Sequence, residues 1–140
     1  MATDPTFFGT PTLQAAVISA TAYGGSRTTP TGATSIYTAS TSVATLIRRI
    51  DFKNLGTSVA GLIDLWLSPD SGTTFYQVPY SAVVTAITGS TTLDSWQASI
   101  APDGGKGLVL PAAATAWRLY AGASVTQTTA VQAVVYGATA

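Results

Sequence analysis

The 140-residue chain has no histidine, no cysteine and no glutamate; its charges are six Asp, four Arg and two Lys. General acid–base, nucleophilic and metal-assisted mechanisms draw mostly on the three missing residue types, so most enzyme constellations cannot be assembled from this chain. Without cysteine there is no disulfide framework and no thiolate metal site, and the redox compartment stays open. Charged residues make up only 9% of the chain, and formal net charge is zero. The one basic cluster is Arg48-Arg49, so the positive stripe expected of a nucleic-acid partner is missing and an anionic membrane surface is disfavoured. No apolar run approaches the roughly 18–20 residues of a membrane-spanning helix. The opening Met1-Ala2-Thr3-Asp4-Pro5 lacks a basic region followed by an apolar one, so no signal peptide is expected and assembly in the cytoplasm is.

What is present is Thr, Ala, Ser, Gly and β-branched residues, the material of short strands and tight turns. The chain is 46% hydrophobic, a high share beside so few charges, which implies that part of the surface is covered by other subunits. Alternation over five to eight residues recurs, punctuated by Gly, Pro and Ser/Thr clusters, and helical periodicity is absent. The expected architecture is all-β: a single antiparallel β-sandwich, jelly-roll or Ig-like, over residues 13–140, with an extended N-terminal arm over residues 1–12.

Expected strands run from Gln14 to Thr21, Ser42 to Asn54, Val59 to Ser68, Ser95 to Ile100, Leu108 to Leu110 and Ala130 to Tyr136, with another around Trp117 to Ala121. In the second of these, Ile50 and Phe52 share one face while Arg49, Asp51 and Lys53 share the other. The Val59–Ser68 strand is apolar on both faces except for Asp64, which makes it central or covered by a partner. The Gly- and Pro-punctuated run Ala22–Ser35 reads as a loop, Thr74–Val78 as the return strand of a hairpin, and Tyr80–Ile87 as a helical turn or irregular edge.

The sharpest local motif is Ser68-Pro69-Asp70-Ser71-Gly72-Thr73-Thr74-Phe75, which resembles the Asp-box of sialidases and many other β proteins. Its chemistry is that of a rigid turn: Ser68 and Asp70 accept backbone amides, Gly72 supplies a positive φ, and Phe75 packs beneath the hairpin. Paired carboxylates from Asp64, Asp70, Asp94 and Asp103 would be needed for glycoside hydrolysis, yet three of the four sit in turn sequences where Asp caps amides. Calcium binding by Asp70, Asp94 or Asp103 lacks an Asp-x-Asp spacing. Asp103-Gly104-Gly105-Lys106-Gly107 lacks the following helix and Ser/Thr of a phosphate loop and reads as a flexible loop. No catalytic, cofactor or metal residue is therefore assigned, and the chain is expected not to be an enzyme.

From Ile47 to Tyr136 the order of strands and turns resembles a family of small β-sandwich virion proteins of tailed bacteriophages. The residues carrying this are Arg49-Ile50-Asp51-Phe52-Lys53-Asn54-Leu55-Gly56-Thr57-Ser58, Ile63-Asp64-Leu65-Trp66-Leu67-Ser68, Gly107-Leu108-Val109-Leu110-Pro111-Ala112, Leu119-Tyr120-Ala121-Gly122-Ala123 and Val131-Gln132-Ala133-Val134-Val135-Tyr136-Gly137. Proteins similar to this are head decoration (cement) proteins, head fibres and tail- or fibre-attachment modules. The resemblance implies a homo-oligomeric virion component whose partner is the major capsid protein or another virion protein. Phe7 and Phe8 in the arm, Arg48 and Arg49, Trp66 and Tyr136 are the expected subunit or capsid contacts. A tail location and a carbohydrate-binding module using tryptophan platforms are the alternatives. The latter requires a solvent-facing Trp beside an Asp or Asn.

Overall fold

The computed structural model describes residues 9–90, 92 and 95–140. The long strands are β1 (Thr10–Ile18), β4 (Thr34–Thr38), β5 (Thr45–Asn54), β6 (Gly61–Ser68), β7 (Tyr76–Val84), β10 (Arg118–Ala123) and β11 (Val131–Thr139). Shorter ones are β2 (Gly24–Gly25), β3 (Pro30–Thr31), β8 (Gln97–Ile100) and β9 (Leu108–Leu110). The described residues contain no α-helix; one 3-10 turn covers Pro102–Gly105. Every strand pairing among the described residues is antiparallel.

Two sheets carry the fold. The first runs β1-β11-β5-β8, with β9 taking the other half of β5; the second runs β4-β10-β6-β7; β2 and β3 form a separate small ladder. Their inward side chains meet in one cluster: Ile18, Ile47, Ile50, Phe52, Val131 and Val135 from the first sheet pack with Ile63, Leu65, Val84 and Leu119 from the second. The period-2 alternation decides this arrangement. Ile50 and Phe52 go inward while Arg49, Asp51 and Lys53 stay on the outer face, as the sequence predicts.

Four expectations change. Thr10, Pro11 and Thr12, assigned to the arm, form the first rungs of β1 opposite Thr139, Ala138 and Gly137; the β11 edge there offers them backbone partners. Of the two readings of Tyr80–Ile87, the irregular edge holds and the helical turn does not: β7, the outer strand of the second sheet, continues to Val84, with a register shift opposite Asp64–Trp66. The return strand of the hairpin begins at Tyr76 rather than Thr74, because Thr73 and Thr74 belong to the turn. The Ala22–Ser35 run is not plain loop: it contains β2, β3 and the start of β4.

Buried amide side chains substitute for backbone where the ladders stop. Gln127, 3% exposed, accepts from Val59 N–H at 2.8 Å and donates to the Val59 carbonyl at 2.9 Å. Asn54 accepts from Gly56 N–H at 2.9 Å and donates to the Thr129 carbonyl, closing the turn after β5.

Candidate functional site

The first sheet has one face in the core and one face open, and the pairing registers fix what the open face carries. Leu13 stands opposite Tyr136 and Ala15 opposite Val134. Tyr136 in turn faces Arg49, Val134 faces Asp51, and Gln132 faces Lys53; on the far side Asp51 faces Ser99 and Lys53 faces Gln97. The face therefore grades from an apolar half on β1 and β11 to a polar, charged half on β5 and β8. At its centre lies a concavity of about 550 Å³ lined by Asp51, Lys53, Gln97, Ser99, Val134 and Tyr136, among others.

The polar half is ordered by its own contacts. Arg49 lies 4.3 Å from the ring centroid of Tyr136 and 3.1 Å from Asp51, and Ser99 donates a 2.6 Å hydrogen bond to the same carboxylate. The guanidinium thus sits between an aromatic face and an anion, an arrangement that holds its long side chain flat on the sheet. Strict alternation would turn Arg48 inward. A bulge opposite Tyr136–Gly137 adds one residue to β5, so Arg48 and Arg49 are both exposed. Sequence reasoning names Arg48, Arg49 and Tyr136 as contacts; the two arginines are exposed, Tyr136 is half-buried, and Arg49 lies over its ring. That reasoning misses Leu13 and Val17, 63% and 55% exposed. The signal was available in the spacing Leu13-Ala15-Val17 on one face of an uncharged strand.

Trp66 does not belong to this surface, and the expectation that it offers a subunit contact is corrected. It lies on the outer side of the second sheet, but residues 22–31 fold across it and leave it fully buried. Its indole N–H donates to the Arg27 carbonyl at 2.7 Å, and the Tyr23 ring meets it edge-on at 4.8 Å. Asp64, 2% exposed, accepts 2.7 Å from the Tyr23 hydroxyl, with Arg27 Nε at 3.9 Å. Burial, and then that hydrogen bond, raise the Tyr23 phenol above its ordinary pKa. Gly122 leaves room for this cover: a Cβ there would lie 3.0 Å from Tyr23 Cδ1 and 3.3 Å from Trp66 Cζ3. The strand that reads as central or partner-covered is both central and covered, by its own chain.

The Asp-box residues build the expected turn. Asp70 Oδ1 accepts from Thr74 N–H at 2.7 Å, from Thr73 N–H at 3.2 Å and from the Ser68 hydroxyl at 2.9 Å. Ser68 in turn accepts Gly72 N–H at 2.8 Å. Gly72 has φ +94°, and Phe75 packs edge-on against Tyr120 at 5.2 Å. Hydrogen bonds from Thr74, reinforced by Ser68 and Thr73, hold the Asp70 carboxyl below its usual range.

The remaining carboxylates are dispersed. Asp64 is bound under the cover, Asp70 lies in the turn, and Asp103 occupies the 3-10 turn at φ +51°, closed by Lys106 N–H and Gly107 N–H onto the Asp103 and Pro102 carbonyls. Phe7, Phe8 and Asp94 lie outside the described residues. Trp96 is buried, donating to the Val83 carbonyl at 2.9 Å, and Trp117 is half-buried against the core.

No family model matches the chain, and no curated protein matches it. Among solved structures, a chain of the cyanophage Pam1 capsid asymmetric unit is similar with TM-score 0.45 and 13% identity, over 99% of this chain and 91% of that one. The SPBc2 prophage-derived protein YomS is similar with TM-score 0.37 and 11% identity, over 94% of this chain and 99% of that one.

Proposed function

We propose that this chain is a non-catalytic structural component of a phage virion, a single β-sandwich that binds the assembled head as a decoration protein. The observation that carries the reading is the open face of the first sheet. It offers a broad surface, apolar at Leu13, Val17 and Val134 and polar at Arg49, Asp51 and Lys53, with its arginine pre-ordered against Tyr136. Such a mixed face suits docking on a protein lattice: apolar anchors supply affinity and the charge pattern supplies register. The order of strands and turns from Ile47 to Tyr136 supports the same reading through its resemblance to small virion proteins. A ligand that binds only the assembled lattice stabilises it by mass action, and many copies per shell multiply the effect.

The carbohydrate-binding alternative loses its supporting feature, since Trp66 and Trp96 are buried and Trp117 leans on the core. The test is quantitative mass spectrometry of purified particles of the phage that encodes the chain, ratioed to the major capsid protein. A copy number comparable to the capsid protein supports decoration. A handful per particle moves the chain to the tail or a vertex, and absence from the particle overturns the virion reading.

A further inference from the structure

Each of the two main sheets has two edges, and among the described residues three of the four are managed within the chain. On β4, the Gln14 amide takes both the N–H and the carbonyl of Thr38, each at 2.8 Å. On β7, Pro79 interrupts the ladder and the Val83 carbonyl is held by the Trp96 indole. β8 and β9, which share the far side of β5, are only four and three residues long. These are recognised ways of blunting an edge against another chain. The fourth edge, β1, is nine residues long, without a single charge, and bears two exposed large apolar side chains, Leu13 and Val17.

We propose that β1 pairs antiparallel with β1 of a second copy about a two-fold axis at Ala15, joining two five-stranded sheets into one. The register follows from the backbone. Pro11 has no N–H and fits a ladder only where that position faces out of the sheet. Leu13, Ala15 and Val17 follow it at two-residue steps, so their N–H and carbonyl groups point to the same free side. Ser19, next in the series, sends its N–H to Thr34 Oγ1 and not to β11. Centring the axis on Ala15 puts Leu13 of each copy opposite Val17 of the other, so the two side chains pack side by side across the seam and stay on the open face. It also leaves Pro11 opposite Ser19, where no ladder bond is required. A second copy suits this edge because an uncharged strand meets no like-charge repulsion from itself. The joined sheet doubles the width of the open face.

The inference uses only the edge strand and is independent of the virion reading; solution mass tests one, particle composition the other. Sedimentation equilibrium of the full chain at high micromolar concentration is expected to give twice the chain mass. Amide exchange at Leu13, Ala15 and Val17 is expected to slow as concentration rises. Leu13→Lys with Val17→Lys, both on exposed positions, is expected to give a folded monomer by circular dichroism. Ala15→Pro, which removes an outward N–H and no bond to β11, should do the same, and either variant suffices if the other fails to fold. A wild-type chain that stays monomeric, or folded variants that remain dimeric, would overturn the proposal.

Discussion

At the scale of single residues, this protein uses small polar side chains to hold backbone where the ladders end. Asp70 shows the principle most clearly, since one carboxylate oxygen gathers Ser68, Thr73 and Thr74. Its pKa is depressed in the folded chain, so the stability it contributes is present above the unfolded value and is lost as pH falls through the lower folded one. Asp70→Asn is therefore expected to lower the melting temperature at neutral pH, with the gap to wild type narrowing as the solution is acidified through the carboxylate range. A gap that stays constant with pH would contradict that role. Gly72 is constrained twice over: its φ is +94°, and a Cβ would stand 2.8 Å from the Tyr120 hydroxyl. Gly72→Val should cost about 1–3 kcal/mol in a denaturant titration; unchanged stability would refute the turn geometry.

At the scale of elements, the instructive case is the segment folded over β6. Its Gly- and Pro-rich composition marks a loop, and nothing in that composition says where the loop lies. Its position is set by long-range bonds: Tyr23 N–H to the Ala123 carbonyl at 3.0 Å, Ala22 N–H to Thr126, and Tyr23 to Asp64. Asp64 is legible as the odd polar residue in an apolar strand, while its partner, 41 residues away, is not. Tyr23→Phe removes the hydroxyl facing a buried carboxylate and is expected to destabilise the chain by about 1–3 kcal/mol. It should also raise the iodide quenching of Trp66, because the cover over the indole loosens. If stability and quenching are both unchanged, the segment is not held by this bond.

At the scale of the whole molecule, burial assigns the two sheets different roles. The second sheet has much of its outer side covered by residues 22–31, whereas the first leaves its outer face open. Arg49→Glu with Lys53→Glu alters that face at side chains away from the core, so folding stability should move by no more than about 1 kcal/mol while association with particles weakens. Retained binding with reversed charges would place the contact elsewhere on the molecule.

The sequence by itself determined the chemistry and the strand pattern. The missing His, Cys and Glu strip away most catalytic and metal constellations. Period-2 alternation shows which side of β10, β11 and the Arg49–Lys53 part of β5 faces the core, and the hydrogen bonds of Ser68 and Asp70 that shape the turn lie within the motif itself. Those features are local, so a local pattern encodes them. Tertiary structure alone decided that Trp66 is covered by its own chain, that a bulge turns Arg48 outward, and that Thr10–Thr12 join a sheet. Each depends on a partner far along the chain, such as Arg27, Gly137 or Thr139, and apolar burial is indifferent to which segment supplies it. A strand's sequence tells which face is apolar; only the packing of the others tells whether that face is core, covered or open.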